Sequence, residues 1–186
     1  MRPKVPSGTD RVGHHHEVVD VRLVPLTVAH VPDLLAAMAD PEVLRFTRTP
    51  HVVTEEWLRG WLAGFDGHDR FGWAVVDPAG AFLGYAVTGP VDHEGAEAEL
   101  GYAVAPAARG RGVATAALLA MARWAFHEAG LVRVTALVST GNPASSAVAR
   151  RAGFTREGVL RSVHHRDDVR VDLECWSLLP SELPAT

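Results

Sequence analysis

The segment between Glu97 and Thr115 holds the residues whose types and spacing point most directly to chemistry. Its pattern is typical of a strand, a loop of small residues and the start of a helix, with glycines at 110 and 112 in the loop. A helix N-terminus presents amide N–H groups without helical partners, and glycines let a ligand approach the backbone closely. The segment therefore predicts a binding site for an anionic group such as a pyrophosphate.

The glycine loop does not match two common nucleotide-binding motifs. It lacks the Gly-Lys-Ser/Thr ending of a P-loop, which disfavours nucleoside triphosphate hydrolysis. It also does not follow a first strand as Gly-x-Gly-x-x-Gly, which counts against a dinucleotide-binding Rossmann unit.

The strand that precedes the loop carries two carboxylates on one face. Alternation along residues 97–104 places Glu97 and Glu99 on one side of the strand, with Gly101 and Ala103. Leu100, Tyr102 and Val104 share the other side. The sequence therefore predicts that the two carboxylates and the tyrosine face opposite sides of a sheet.

Hydrophobic periodicity elsewhere predicts the elements that position this segment. Helices are predicted from Thr27 through Met38, from Thr54 through Leu62, from Val113 to a cap at Gly130, and from Ala144 to Ala152. Strands are predicted at 18–26, 71–77, 81–87, 97–104, 133–138, 155–163 and 170–179. This order predicts a single domain of mixed α/β (α+β) class.

Composition excludes several classes of function. The 186 residues carry 18 Lys and Arg against 22 Asp and Glu, a net charge of −4, so we expect no nucleic-acid partner. The single cysteine, Cys175, excludes an intramolecular disulfide and a multi-cysteine zinc site and favours a reducing compartment. No stretch approaches the roughly 18 apolar residues that span a bilayer, and no signal peptide is evident. We therefore expect a cytoplasmic protein without membrane partners.

One folded domain is expected between two tails. Residues 1–17 combine Pro, Gly and Ser with the run His14, His15, His16, which predicts a flexible N-terminal arm. Residues 18–180 form the predicted domain, and residues 181–186 a C-terminal tail.

The glycine loop and the helix after residue 141 resemble the GNAT superfamily of N-acetyltransferases. The family signature [QR]-x-x-G-x-[GA] corresponds to Arg109-Gly110-Arg111-Gly112-Val113-Ala114. The resemblance continues through G-N-P-A-S-S-A-V-A-R-R-A-G-F (141–154) and E-G-V-L-R (157–161), which are similar to the branch of the ribosomal-protein N-terminal acetyltransferases RimJ and RimL. It covers about residues 18–180.

This resemblance implies a GNAT fold and acetyl-CoA as co-substrate. The fold is a twisted, mainly antiparallel sheet of about seven strands with four helices, and a V-shaped split between the strands ending at Val104 and Val138 admits acetyl-CoA. The residues implied to bind acetyl-CoA lie on the strand, the loop and the next helix: Tyr102, Ala103, Val104, Arg109, Gly110, Arg111, Gly112, Val113, Ala114, Thr115 and Asn142.

The resemblance also implies direct transfer to an amine in a ternary complex, without a metal. Glu99 is the first candidate to deprotonate the amine, with Glu97 as the same-face alternative. Many relatives have a tyrosine seven residues after the asparagine as general acid, but this chain has Ala149 there. Ser145, Tyr102 or a water is left as the general acid, and we count Ser145 with Glu99 as a candidate catalytic residue. A backbone N–H near Val104 would polarise the thioester.

The acceptor is not determined by the sequence. The branch implies a protein N-terminal amine; a small amine such as an antibiotic and a catalytically silent acyl-CoA-binding module are the alternatives. Trp57 and Trp61 have the spacing of a helix core, but the family also places such a helix beside the acceptor, so they and Glu97 are candidate substrate-binding residues. Acidic residues at 92, 94, 97 and 99 would suit a cationic acceptor. The resemblance also allows a homodimer.

Several residues with reactive side chains have a simpler interpretation. His164, His165, Asp167 and Asp168 are expected in a solvated hairpin turn and His14 to His16 in the flexible arm, so we predict no metal site. Cys175 is expected to be a buried, unreactive side chain. Asn142 could equally act as a helix cap before Pro143.

Overall fold

The computed structural model describes residues 19–166 and 168–185. The predicted arm at 1–17 and Asp167 of the predicted hairpin turn lie outside the described residues.

The described chain forms one seven-stranded sheet with helices on both faces. The strands are Arg22–Pro25 (β1), Gly72–Val76 (β2), Phe82–Thr88 (β3), Glu97–Val104 (β4), Arg133–Ser139 (β5), Thr155–Arg166 (β6) and Val169–Leu178 (β7). Their spatial order is β1-β2-β3-β4-β5-β7-β6, and every neighbouring pair is antiparallel except β4 and β5. The five α-helices are Val31–Met38 (α1), Pro41–Phe46 (α2), Glu55–Ala63 (α3), Val113–His127 (α4) and Pro143–Arg151 (α5). The predicted mixed class and the seven strands are confirmed.

The sequence prediction of four helices missed α2. This helix has only six residues, too few to show a helical repeat of apolar side chains. Its start is nevertheless well defined, because Asp40 accepts hydrogen bonds from the N–H groups of Glu42 and Val43 and Pro41 occupies the first turn. The Asp-Pro-Glu sequence was the available signal for this helix.

The long hairpin of β6 and β7 corrects the prediction for residues 164–168. His164 lies within β6 opposite Val171, and it is 8% exposed instead of solvated. The register shifts between Leu160 and His164, and Ser162 adopts a positive φ of 58°. This bulge turns His164 towards the protein interior, which strand alternation alone does not predict.

The V-shaped split implied by the resemblance is present between β4 and β5. The two strands pair in parallel only through Glu97, Ala98 and Glu99, opposite residues 133–135. Beyond Glu99 they diverge, so in the described structure the β5-facing edge of β4 has no strand partner over residues 100–104. Arg133 holds the paired end together: its Nε lies 3.2 Å from Glu97, and its guanidinium makes two hydrogen bonds of 2.7 and 2.8 Å to Glu157 on β6.

Two cores cover the two faces of the sheet. The larger packs α4 and α5 against the face that includes Ala98 and Leu100, and it buries Leu118 and Met121 of α4 completely. Each such side chain contributes about 1.5–3 kcal/mol to stability. The smaller core packs α1 and α3 against Tyr85 on the opposite face, where Ala103 also lies. Since odd-numbered residues of β4 share that face, Glu99 lies on the α1 and α3 side.

Gly84 allows a close approach of β3 to the C-terminal end of β4. A Cβ at this position would lie 2.2 Å from the carbonyl oxygen of Ala103 and 3.0 Å from Cα of Val104. Both are backbone atoms, which cannot move aside as a flexible side chain does. A side chain at 84 would therefore displace the end of β4 that borders the split.

We expect Gly84→Ala to lower the free energy of unfolding by about 1–3 kcal/mol, because the methyl group overpacks against backbone. Gly60→Ala is the matched control, since Gly60 is exposed inside α3 and a Cβ added there would meet no atom within 4 Å. That control should be neutral or stabilise by up to about 1 kcal/mol. Urea unfolding followed by circular dichroism measures both, and equal effects of the two substitutions would contradict the close approach.

Candidate functional site

The loop between β4 and α4 presents backbone donors at the open end of the split. Gly110 and Gly112 have positive φ angles of 73° and 83°, and a Cβ on Gly110 would meet no atom within 4 Å. The first helical hydrogen bond of α4 runs from the N–H of Ala116 to the carbonyl of Gly112. The N–H groups of residues 113–115 therefore have no helical acceptor, and they fit a phosphate group at the helix N-terminus.

The side chains of this loop have different roles from its backbone. Arg109 does not point to solvent alone: its guanidinium lies 2.6 Å from Asp40 and 3.5 Å from Glu42, on α2 and its cap. This contact lowers the pKa of Asp40 below its ordinary value, mainly through the hydrogen bond from Arg109. Arg111 is exposed, and the hydroxyl of Thr115 is buried without a hydrogen-bond partner among the described residues.

Three of the residues that the resemblance singled out meet on the α5 side of β4. The hydroxyl of Tyr102 lies 2.8 Å from Oγ of Ser145, and the N–H of Ser145 donates to Oδ1 of Asn142 at 3.1 Å. Asn142 therefore caps α5, as the simpler interpretation expected. Burial raises the pKa of Tyr102 above its ordinary value, an effect that the hydrogen bond with Ser145 partly offsets.

Ala149 occupies the position where many relatives have a tyrosine, and its methyl side chain cannot donate a proton. It is 1% exposed and belongs to the main core. Ser145 lies one helical turn before it on the same face of α5, and the hydroxyl of Tyr102 reaches this face from β4. The tyrosine hydroxyl on the α5 side of the split therefore belongs to Tyr102 of β4, whereas the family resemblance implied a tyrosine on α5.

Glu99 lies on the opposite face of β4 from Tyr102. Its carboxylate is exposed, yet it is surrounded closely enough by protein for desolvation to raise its pKa above the ordinary 4.5. The positive charge of Arg48 opposes this shift. Glu97 differs, because its carboxylate pairs with Arg133 at 3.2 Å. Of the two carboxylates on this face, Glu99 is the one without an ion pair within 4.0 Å among the described residues.

Trp57 and Trp61 form an aromatic layer between α3 and the sheet. Their rings stack with centroids 6.1 Å apart, and Trp61 meets the rings of Tyr85 and Phe65 edge to face at 5.6 and 4.8 Å. Both tryptophans are half-buried against the smaller core. They pack as the helix spacing predicted, and contact with an acceptor stays a prediction.

A cavity that the sequence did not predict lies on the α2 side of the β6–β7 hairpin. It has a volume of about 560 Å³ and lies between α2, the end of β5 and the β6–β7 hairpin. Its lining residues are Arg45, Phe46, Ser139, Thr140, Gly141, His164, Val169, Arg170, Val171 and Asp172. Arg48 connects it to Glu99, because its Nε donates to Nδ1 of His164 at 3.2 Å and its charge acts on Glu99. The sequence did not predict this cavity, because it predicted neither α2 nor the inward orientation of His164.

Metal-ligating side chains converge at another place. Among the described residues, His68, Asp69 and His93 are the group whose ligand atoms all lie within 4.8 Å of one another. All three are exposed, and both imidazoles contact Asp69 Oδ1, at 2.7 and 3.1 Å. These contacts account for the cluster without an ion, and the prediction that transfer needs no metal stays a prediction.

Two further predictions concern Cys175 and membranes. Cys175 is half-buried, and burial raises the pKa of its thiol, which disfavours a reactive thiolate. Within the described part of the chain, no helix has the length and apolar character needed to cross a bilayer.

Comparison with curated proteins gives relatives named as acetyltransferases. The chain is 35% identical over 103 residues to YdaF of Bacillus subtilis (strain 168), which is provisionally named a ribosomal N-acetyltransferase; the match covers 55% of this chain and 56% of YdaF. It is 31% identical over 149 residues to the FsC-acetyl coenzyme A-N(2)-transacetylase of Aspergillus fumigatus, covering 73% of this chain and 62% of that protein. The chain thus spans less than two thirds of the length of these relatives.

Comparison with solved structures shows the same fold. Mycobacterium smegmatis RimJ in complex with CoA-disulfide matches with a TM-score of 0.81 and 23% identity, covering 89% of this chain and 85% of RimJ. The spermidine N-acetyltransferase of Vibrio cholerae in complex with CoA and spermine matches with a TM-score of 0.80 and 16% identity, covering 87% and 96%. At these identities the likeness concerns the fold alone.

The family is identified by sequence as well as by fold. The family model of the acetyltransferase (GNAT) domain matches residues 20–155, which include the glycine loop, Glu99 and the Asn142 to Phe154 segment. The resemblance inferred from the sequence is therefore confirmed: the chain belongs to the GNAT acetyltransferase domain family.

Proposed function

We propose that the protein transfers the acetyl group of acetyl-CoA to a primary amine in a ternary complex. The observation that carries this proposal is the split beside β4. At its open end the split has the unpaired edge of β4 and the N-terminus of α4. Glu99 and Tyr102 lie on opposite faces of β4, the strand that borders the split. The two faces give the co-substrate and the acceptor separate approaches to one strand.

The backbone of β4 and of the glycine loop holds the co-substrate in this proposal. The free edge, where the N–H and C=O groups of Tyr102 and Val104 lie, hydrogen-bonds the pantetheine, and the N–H groups of residues 110–115 bind the pyrophosphate. The carbonyl of Ala103 faces β3 instead, because backbone groups alternate between the two edges of a strand. Bound acetyl-CoA supplies a thioester. The N–H of Val104 lies on the same edge and is our candidate to polarise the thioester carbonyl.

Glu99 is the proposed general base. Transfer forms a C–N bond and breaks a C–S bond, the amine gives up one proton, and the leaving thiolate takes up one. Desolvation makes Glu99 a stronger proton acceptor than an ordinary glutamate, and it lacks the ion pair that occupies Glu97. These differences support Glu99 over Glu97, directly or through a water.

Tyr102 is the proposed general acid. The phenol is protonated at neutral pH, since burial raises its pKa above the ordinary value of 10, and its hydroxyl hydrogen-bonds with Ser145. The sequence left Tyr102, Ser145 and water as alternatives. The geometry supports Tyr102 as the proton donor and Ser145 as a positioning residue.

A protein N-terminal amine is the proposed acceptor. The similarity to YdaF and to the RimJ and RimL branch supports it. A small amine is the alternative, because two other similar proteins are named as a spermidine N-acetyltransferase and an FsC-acetyl coenzyme A-N(2)-transacetylase. A silent acyl-CoA-binding module is the second candidate, favoured by Ala149 in the usual tyrosine position.

We expect acetyl-CoA to raise the free energy of unfolding by about 2.7 kcal/mol at 100 times its dissociation constant. In Arg111→Glu, a carboxylate beside the N-terminus of α4 repels the pyrophosphate, so at least about tenfold more acetyl-CoA should be needed for the same stabilisation. Arg161→Glu makes the same charge change at an exposed site on β6 and should behave as wild type. Thermal-shift titration measures all three, and absence of any shift in the wild type would refute the co-substrate.

We expect Glu99→Gln to lower kcat by about 10²–10⁴-fold without changing the affinity for acetyl-CoA, since it removes the proton acceptor. The thiol released with a panel of N-terminal peptides and small amines gives the rates. As the pH is lowered, log kcat/KM of the wild type should first fall with a slope of about 1, because the acceptor amine becomes protonated. The slope should reach about 2 below the pKa of Glu99, which lies above 4.5, because the base is then protonated as well. Glu99→Gln should keep the slope near 1.

Glu97→Gln is the matched control, because it removes a carboxylate from the same face while Arg133 keeps its two hydrogen bonds to Glu157. Its loss of kcat should be much smaller than that of Glu99→Gln. Unchanged turnover in Glu99→Gln across the pH range would remove Glu99 from the role of base. Acetyl-CoA binding by the wild type without turnover on any acceptor would favour the silent module.

We expect Tyr102→Phe to lower kcat by about 10²–10⁴-fold and to leave KM for acetyl-CoA nearly unchanged, because only the proton donor is lost. Ser145→Ala keeps the phenol and removes its hydrogen-bond partner, so its loss of kcat should be smaller. Steady-state kinetics on both variants test the assignment. A larger loss in Ser145→Ala than in Tyr102→Phe would make Ser145 the donor instead.

A further inference from the structure

The cavity between α2 and the β6–β7 hairpin is lined by two arginines and one carboxylate, Asp172. Arg45 on α2 and Arg170 on β7 both line it. Among the described residues, neither has a carboxylate within 4.0 Å: the guanidinium of Arg45 lies 4.9 Å from the ring of Phe46, and Arg170 donates to the backbone carbonyl of Ser162 at 3.2 Å. Both arginines are exposed, and an anion placed between them would be attracted by both charges.

Four other arginines among the described residues pair with carboxylates. Such pairs are Arg59 with Glu55, Arg109 with Asp40, Arg133 with Glu157 and Arg156 with Glu174. Arg45 and Arg170 therefore differ from the arginines that serve to join elements of the fold. A guanidinium with free N–H donors is also the group best suited to bind a carboxylate in a fork geometry.

The remaining polar groups of the cavity offset this charge only in part, because one carboxylate faces two guanidinium groups. Asp172 is the acidic lining residue, and its Oδ1 accepts the N–H of Ser162 at 2.8 Å. His164 is buried in the wall, where Arg48 donates to its Nδ1. Arg48 adds a third positive charge at the side that leads to Glu99. With Asp172 counted, the lining keeps one excess positive charge, and Arg48 links this site to Glu99, the proposed base.

Two of the four acidic residues that suggested a cationic acceptor have partners within the protein. Asp92 Oδ1 accepts the N–H groups of Glu94 and Gly95 in the turn before β4. Glu97 pairs with Arg133. At the cavity itself, a polycationic acceptor would meet Arg45 and Arg170 against the single carboxylate of Asp172.

We propose that this cavity binds a carboxylate carried by the acceptor, so that the acceptor is an amine with an acidic group nearby. This inference rests on the proposed acetyl transfer, with the amine at Glu99 and the carboxylate at Arg45 and Arg170. The volume of about 560 Å³ lies within the range of small-ligand sites and accommodates an amino acid or the first residues of a peptide. The carboxylate comes either from a free amino acid or from an acidic side chain near a protein N-terminus.

Matched acceptor pairs test the inference and separate these two sources. Alanine against alaninamide tests the free amino acid, and the dipeptide amides Ala-Asp against Ala-Asn test the acidic N-terminus. We expect kcat/KM to favour the acidic member of at least one pair by about tenfold or more, and spermidine to be a poor acceptor. The pair that shows the preference identifies the source.

Variants of the two arginines test the assigned site. Arg45→Gln and Arg170→Gln should each reduce the acidic preference by about threefold to tenfold and leave the rate with the neutral member nearly unchanged, and Arg45→Lys should restore part of it. Arg161→Gln, on the exposed edge of β6, is the control and should keep the wild-type ratio. Equal rates for both members of each pair, or a preference that survives both substitutions, would overturn the inference.

A binding measurement keeps this test independent of turnover. Isothermal titration of each acceptor into CoA-saturated protein should give tighter binding of the acidic member, with an affinity that falls as salt is added. If no acceptor is acetylated but the acidic member still binds tighter, the proposed transfer fails and the anion site stands. If transfer occurs without an acidic preference in rate or binding, the anion site fails and the transfer stands.

Discussion

The parallel pairing of β4 with β5 ends after three residues, and the arrangement of the site depends on this short contact. If the strands stayed paired to their ends, the β5-facing edge of β4 would be used up inside the sheet. Arg133 of β5 stabilises the contact where it exists, since it pairs with Glu97 on β4 and with Glu157 on β6. The strands can therefore separate beyond Glu99 without loss of the sheet.

The pleat of β4 places the candidate acid and the candidate base on opposite faces of the sheet. Successive side chains alternate, so Tyr102 faces α5 and Ser145 while Glu99 faces α1, α3 and Arg48. Burial raises the pKa of both groups, which favours the protonated phenol on one face and a more basic carboxylate on the other. One strand thus separates a candidate acid from a candidate base by its geometry alone.

The short helix α2 links the glycine loop to the cavity. Asp40 caps this helix through its Oδ1, and the same carboxylate binds Arg109 at the start of the glycine signature. The helix in turn carries Arg45 and Phe46 into the cavity lining, and Arg48 follows directly. Through one carboxylate, the loop that would hold a pyrophosphate is joined to the helix that would contact an acceptor.

The sequence by itself determined the strand 97–104 and its two faces, the glycine loop and helix α4, because these depend on local alternation and on backbone freedom at Gly112. It could not reveal α2, which is too short for periodicity, or the inward turn of His164, which a bulge causes. The tertiary structure alone decided which charges are neutralised. Arg109 meets Asp40 across 69 positions and Arg48 meets His164 across 116, and no local pattern encodes contacts that only the folded chain brings together.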